Sequence, residues 1–208
     1  MTPAHGNDDA TRITDDRGFL KASQPPTLSE GADTRPRRWV VLHWLTVLCL
    51  ALAALLILTR DEVDGRAARA WLLEGHRHFG LFVLMLFFAR VALRPRLGKS
   101  PPQGRATWIM RGAAAATHMA LYATLLALPL LGWSLSNAEG KPVHLFGLTL
   151  PALVGADEDF ADTLLVWHQD VAWLLIGLVS LHVGAALWHH FVLRDEALRV
   201  LLPRRRRE

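Results

Sequence analysis

Apolar and polar residues in this chain are segregated rather than interleaved. Four long apolar stretches, roughly 39–58, 75–93, 112–134 and 167–192, alternate with short charged segments. Each is close to the ~20 residues that a helix with a rise of about 1.5 Å per residue needs to cross a bilayer. The pattern therefore predicts an all-α membrane protein, a bundle of four transmembrane helices. The second stretch is the shortest in its apolar core and contains His76, Arg77, His78 and Arg90. Arginines close to a helix end reach the interface with their charge while the stem stays in the apolar layer, so this segment can still insert.

Charge then orients the four spans. Arg35, Arg37 and Arg38 precede the first. The connection between the second and third holds Arg94, Arg96, Lys99, Arg105 and Arg111 with no acidic residue, and the tail ends in Arg204, Arg205, Arg206 and Arg207. The other two connections are acidic or balanced: Arg60, Arg66 and Arg69 meet Asp61, Glu62, Asp64 and Glu74, and the third carries Lys141 against Asp157, Glu158, Asp159 and Asp162. Basic residues on alternate sides place both termini and the second connection in the cytoplasm. The net charge of +4 is thus a topology signal. A nucleic-acid role for the arginine run is the weaker reading, because that run abuts a span where anionic lipid would meet it.

Composition divides the chain into a polar leader over residues 1–37, rich in Asp, Ser, Thr and Pro and expected to be disordered, and a membrane domain over residues 38–208. The single cysteine, Cys49 in the first span, cannot form an intramolecular disulfide and is expected to pack as a small apolar residue. Trp39, Trp133, Trp167 and Trp188 lie near span ends, where indoles favour the headgroup level. In the third connection FGLTLP, residues 146–151, has the composition of an ordered turn.

Candidate chemistry comes from histidine. Of ten, only His5 and His144 fall outside the apolar stretches. An ionisable side chain in a bilayer is costly and marks a functional site by default. In the last span, His168, His182 and His189 are separated by 14 and 7 residues, which returns them to one stripe of a helix, with His168 and His182 about 21 Å apart along the axis. Those two cannot ligate one atom, so they mark two depths. Topology places His76 with His168 near the outer face, and His43, His118, His182 and His189 toward the inner one. Two imidazoles from facing helices are what haem iron accepts as axial ligands, and bundle cores are where such cofactors sit. Zinc would ask for about four ligands in one cluster, which the outer level lacks. Two b-type haems are the favoured reading of the residues, with a metal transporter or purely structural histidines as alternatives.

His43-Trp44, the His76 to Gly80 spacing followed by Arg90 and Arg94, His118 with Tyr122 and Leu128-Pro129, FGLTLP, Trp167-His168, His182 and His189-His190 together resemble the bacterial cytochrome b561 family, which is related to the cytochrome b subunits of nickel hydrogenases. The resemblance implies a four-helix bundle enclosing two haems b, the outer held by His76 and His168 and the inner by His43 and His182. Arg90, in the inner half of the second span, is a candidate propionate partner, with a snorkelling anchor as the alternative. The resemblance also implies a ubiquinone site at the cytoplasmic end near His189 and Arg105, where an arginine stands in place of the family's lysine and offers a planar fork instead of a point donor. The function expected is transfer of electrons between the periplasmic face and ubiquinone. The electron donor would be superoxide, attracted by Arg77 and His78, or a redox partner protein. The alternative is a haem-bearing anchor subunit of a hydrogenase or another dehydrogenase.

Overall fold

A computed structural model describes residues 37–93 and 107–192. Residues 1–36 of the expected leader, Arg94, Arg96, Lys99, Arg105 and the C-terminal arginines lie outside the described residues.

Four helices carry the structure: α1 (Arg37–Thr59), α2 (Arg66–Leu93), α3 (Trp108–Ala138) and α4 (Glu158–Phe191). All four are long and apolar enough to cross a membrane, including the second. Their outward faces carry Val41, Leu55, Trp173 and Leu181 in exposed positions, as lipid rather than water requires. Neighbours in sequence are neighbours in space, since α1 packs on α2, α2 on α3 and α3 on α4. One core cluster joins Cys49, Val83 and Leu125 from three helices, so Cys49 does pack as a small apolar residue. A second gathers Ala138, Ala161 and Leu164 at the junction of α3 and α4.

The helices extend beyond the apolar stretches. Residues Glu158, Asp159 and Asp162 are not loop, as their charge suggests, but the opening turns of α4. Asp157 caps that helix, its Oδ1 accepting the Phe160 N–H at 3.0 Å, and the acids of the first turn lie at the positive end of the helix dipole. At the start of α3, the Thr107 hydroxyl accepts the Met110 N–H in the same manner. A 3-10 turn, Arg60–Glu62, leads out of α1.

Between α3 and α4 the chain forms a short antiparallel hairpin, β1 (His144–Leu145) and β2 (Leu148–Thr149), pairing His144 with Thr149 and Leu145 with Leu148. Its turn is Phe146-Gly147, with φ of 51° and 83°. Positive φ at both central residues suits the twist of a two-residue hairpin, and glycine supplies it without strain. The buried Asn137 side chain anchors this connection, its Oδ1 accepting the Leu153 N–H at 2.9 Å. The Ala138 carbonyl accepts the Asp157 N–H at 2.9 Å, so the segment starts and ends at the tip of α3.

Candidate functional site: two histidine clusters between helices

Two histidine pairs face one another across helices that pack less closely than sequential neighbours do. Neither α1 with α4 nor α2 with α4 makes the close backbone approach of the sequential pairs. Yet the rings of His76 on α2 and His168 on α4 lie 6.1 Å apart, centroid to centroid, at an interplanar angle of 81°. The rings of His43 on α1 and His182 on α4 lie 6.4 Å apart at 57°. Metal–imidazole bonds of about 2 Å put the centroids of two trans imidazoles roughly 6 Å apart. Both pairs therefore have the separation that a metal clasped from two sides demands.

In the outer pair, His76 Nδ1 sits 2.9 Å from the Ala53 carbonyl of α1. A carbonyl only accepts, so Nδ1 carries the proton and Nε2 keeps its lone pair for a ligand, the tautomer usual in metal-bound imidazole. His168 Nδ1 is buried and has no hydrogen-bond partner among the described residues, and Leu128-Pro129 of α3 border the same cavity. A β-carbon added at Gly132, one turn further, would stand 3.1 Å from His168 Cε1. Gly132 is what lets α3 close on that ring. Gly80 lies one turn after His76, and a β-carbon there would meet nothing within 4 Å. His76, Gly80, Pro129, Gly132, Trp133 and His168 border a cavity of about 370 Å³ that opens among Arg60, Arg77 and Lys141. That volume is within the range of cofactor sites. The buried Nε1 of Trp133 and Nε of Arg60 have no protein partner among the described residues, so this cavity offers donors suited to a carboxylate. An apolar wall from Leu50, Val83, Leu125 and Leu175 completes the outer site. The residues present fit a haem.

The inner cluster has three imidazoles. His118 of α3 lies 5.4 Å from His182, at 75°. Its Nδ1 is bonded to the Ala114 carbonyl of its own helix at 2.7 Å, and the residue is exposed where His43 and His182 are half-buried. Arg90 reaches α1 and donates from Nη2 to the Leu42 carbonyl at 2.8 Å, with Tyr122 of α3 beside it. His189 lies seven residues beyond His182 toward the end of α4, and Arg105 lies outside the described residues.

Around the outer mouth the charges are paired. Arg77 bridges Glu74 at 3.6 Å and Glu139 at 3.7 Å, linking α2 to the tip of α3, and Lys141 pairs with Glu139 at 2.9 Å. His78 Nδ1 is bonded to the Glu74 carbonyl at 2.8 Å. Arg77 and His78 are thus not the uncompensated positive patch that the sequence suggests, because Glu139, 62 positions away from Arg77, folds back onto it.

Comparison with known proteins agrees with this architecture. A profile of the prokaryotic cytochrome b561 family matches residues 35–204. The chain belongs to that family. It is 33% identical over 175 residues to cytochrome b561 homolog 1 of Escherichia coli strain K12, covering 80% of this chain and 96% of that one. It is 34% identical over 181 residues to cytochrome b561 homolog 2 of the same organism, covering 80% and 92%. Against the probable superoxide oxidase CybB of Yersinia pestis it is 30% identical over 165 residues, covering 79% and 93%. As a member, this four-helix bundle is a multi-pass inner-membrane protein of b-type haem electron transfer.

Proposed function

We propose that the protein relays electrons from the periplasmic face to ubiquinone through two haems b, one at each histidine level. The observation that carries this reading is the pair of imidazole separations, 6.1 and 6.4 Å, between helices that pack less closely than the sequential pairs. His76 and His168 would hold the outer haem, His43 and His182 the inner one. Haem iron with two histidine ligands supplies one-electron relay with no open position for a substrate.

The chain's own residues do the rest. The Ala53 carbonyl and Gly132 fix the two outer rings, and the paired charges around the mouth tune what reaches them. His118 supports the inner cluster without ligating. Arg90 keeps further donors for a propionate of the inner haem, since a guanidinium carries five N–H groups and one is on Leu42. His189 and Arg105 would receive the quinone at the cytoplasmic end, the side on which both termini lie by the distribution of basic residues. The donor at the outer face is superoxide, a reading supported by the name of the Yersinia pestis relative and by the slight positive balance of the charges that line the cavity.

A reduced-minus-oxidised spectrum with a haem-to-protein ratio tests the frame, and two haems per chain is the expected result. Stopped-flow mixing with superoxide then gives haem reduction followed by quinol formation. A spectrum that stays oxidised excludes this donor, and a soluble dehydrogenase retained after mild-detergent extraction would instead mark an anchor subunit.

A further inference from the structure

An arginine in the membrane-spanning part of a helix needs partners, because its guanidinium stays charged and its desolvation is costly. Arg90 finds them on two neighbouring helices. Its Nη2 donates to the Leu42 carbonyl of α1 at 2.8 Å, Tyr122 of α3 lies beside it, and its Nε is buried with no partner among the described residues. The acceptor is unusual. The same Leu42 carbonyl also takes the hydroxyl of the buried Thr46 at 2.8 Å, one turn further along α1. Hydroxyl bonding to a carbonyl four residues back bends a helix locally. Two side chains thus converge on one peptide unit, and the residue that follows it is His43.

We propose that Arg90 is a positioning residue for the inner centre: through the Leu42 carbonyl it fixes the turn of α1 that presents His43, and its permanent charge raises the electron affinity of the haem held there. This rests on the two-haem reading above. An outward-tilted carbonyl would rotate the turn and with it the imidazole plane. Among the described residues the outer pair differs: His76 is set by a neutral carbonyl, and the cations bordering its cavity are each paired with a carboxylate, Arg60 with Asp61, Arg77 with Glu74 and Glu139, and Lys141 with Glu139. A guanidinium bound to a carbonyl, with no carboxylate paired to it among the described residues, raises the electron affinity of the inner level more than the carboxylate-paired cations raise that of the outer, which favours transfer inward.

The test uses the full chain with haem bound, in lipid nanodiscs, as Arg90→Gln and Arg90→Met. The glutamine variant removes the charge and keeps an amide donor, whereas methionine removes both. Haem content, potentiometric titration and the low-spin ferric EPR signals are read for each. Both variants should retain two haems. In both, the reduced-to-oxidised ratio of the inner haem at the wild-type midpoint should fall roughly tenfold, which is about 59 mV for a one-electron couple, while the outer midpoint holds. Methionine alone should also move the inner g-values, which report the mutual orientation of the imidazole planes. An inner midpoint that stays put in the glutamine variant overturns the electrostatic role. A fallen midpoint with inner g-values unmoved in the methionine variant overturns the positioning role and leaves Arg90 as a propionate partner only. A wild-type chain with fewer than two haems defeats the parent reading first, and is recognised by the haem ratio alone.

Discussion

The outer and inner histidine levels share α4 and little else. At the outer level two imidazoles are each constrained by a neighbour: His76 by the Ala53 carbonyl, His168 by the close approach of Gly132. At the inner level three imidazoles share the space, and the charge nearby is an arginine anchored to backbone. A site with two well-set rings has one way to grip a metal, whereas a site with three must be told which to use. The two candidates differ in distance, His118 standing 5.4 Å from His182 and His43 6.4 Å from it.

The largest effect expected is loss of one centre without the other. His168→Ala should remove the outer haem and leave the inner spectrum, halving the haem-to-protein ratio, and His76→Ala should do the same. Retention of both haems in these variants would break the outer assignment. The inner level is sharpened by a paired substitution. His43→Ala should cost a haem, whereas His118→Ala should keep two with a modest change in the inner signal. The reverse outcome would exchange the roles of His43 and His118.

Gly132 gives an effect of intermediate size. A β-carbon at 3.1 Å from His168 Cε1 is too tight for ease, so Gly132→Ala should displace the ring by a few tenths of an ångström. The outer EPR signal should shift while both haems remain bound, and Gly132→Val should lose part of the outer haem. Gly80 is the control. Its β-carbon meets no protein atom, so a disturbance in Gly80→Ala would come from the bound group rather than from the fold.

Some of this was legible in the chain, and the boundary has physical causes. Span number and histidine depth could be read because both depend on positions along one apolar run, and the helix repeat converts positions into height. Helix ends could not, because α4 begins at Glu158, in an acidic cluster that looks like loop until Asp157 is seen to cap it. Gly132 carries a signal in principle: a glycine in a membrane helix one turn after Leu128-Pro129 suggests a close approach. Which ring approaches depends on the fold. The contact between Arg90 and Leu42 has no signature, since every residue has a carbonyl and nothing in the sequence tells which will be overcommitted. The partnership of Arg77 with Glu139 failed to show for a related reason, because the third connection must return to α2 before the acid has any meaning there.

The smallest effect concerns that outer mouth, and it follows from counting its charges. Arg60, Arg77 and Lys141 line the cavity together with Asp61 and Glu139, so the balance is only slightly positive. Arg77 is partly exposed and linked to Glu74 and Glu139 at 3.6 and 3.7 Å, a geometry that contributes no more than about 1 kcal/mol to stability. Arg77→Gln should therefore leave the fold and both haems intact, but it makes the mouth more negative and should slow reduction by superoxide roughly 2- to 5-fold at low salt. Glu139→Gln removes one acid and should speed it by a similar factor. The double variant restores the original balance and should return near the wild-type rate. Because these charges act through solvent, raising the salt to about 1 M, where the screening length is about 3 Å, should merge all four rates. Rates that ignore both substitutions at low salt would mean that the donor does not arrive as an anion through this mouth, and a docked redox protein would then be the donor to look for.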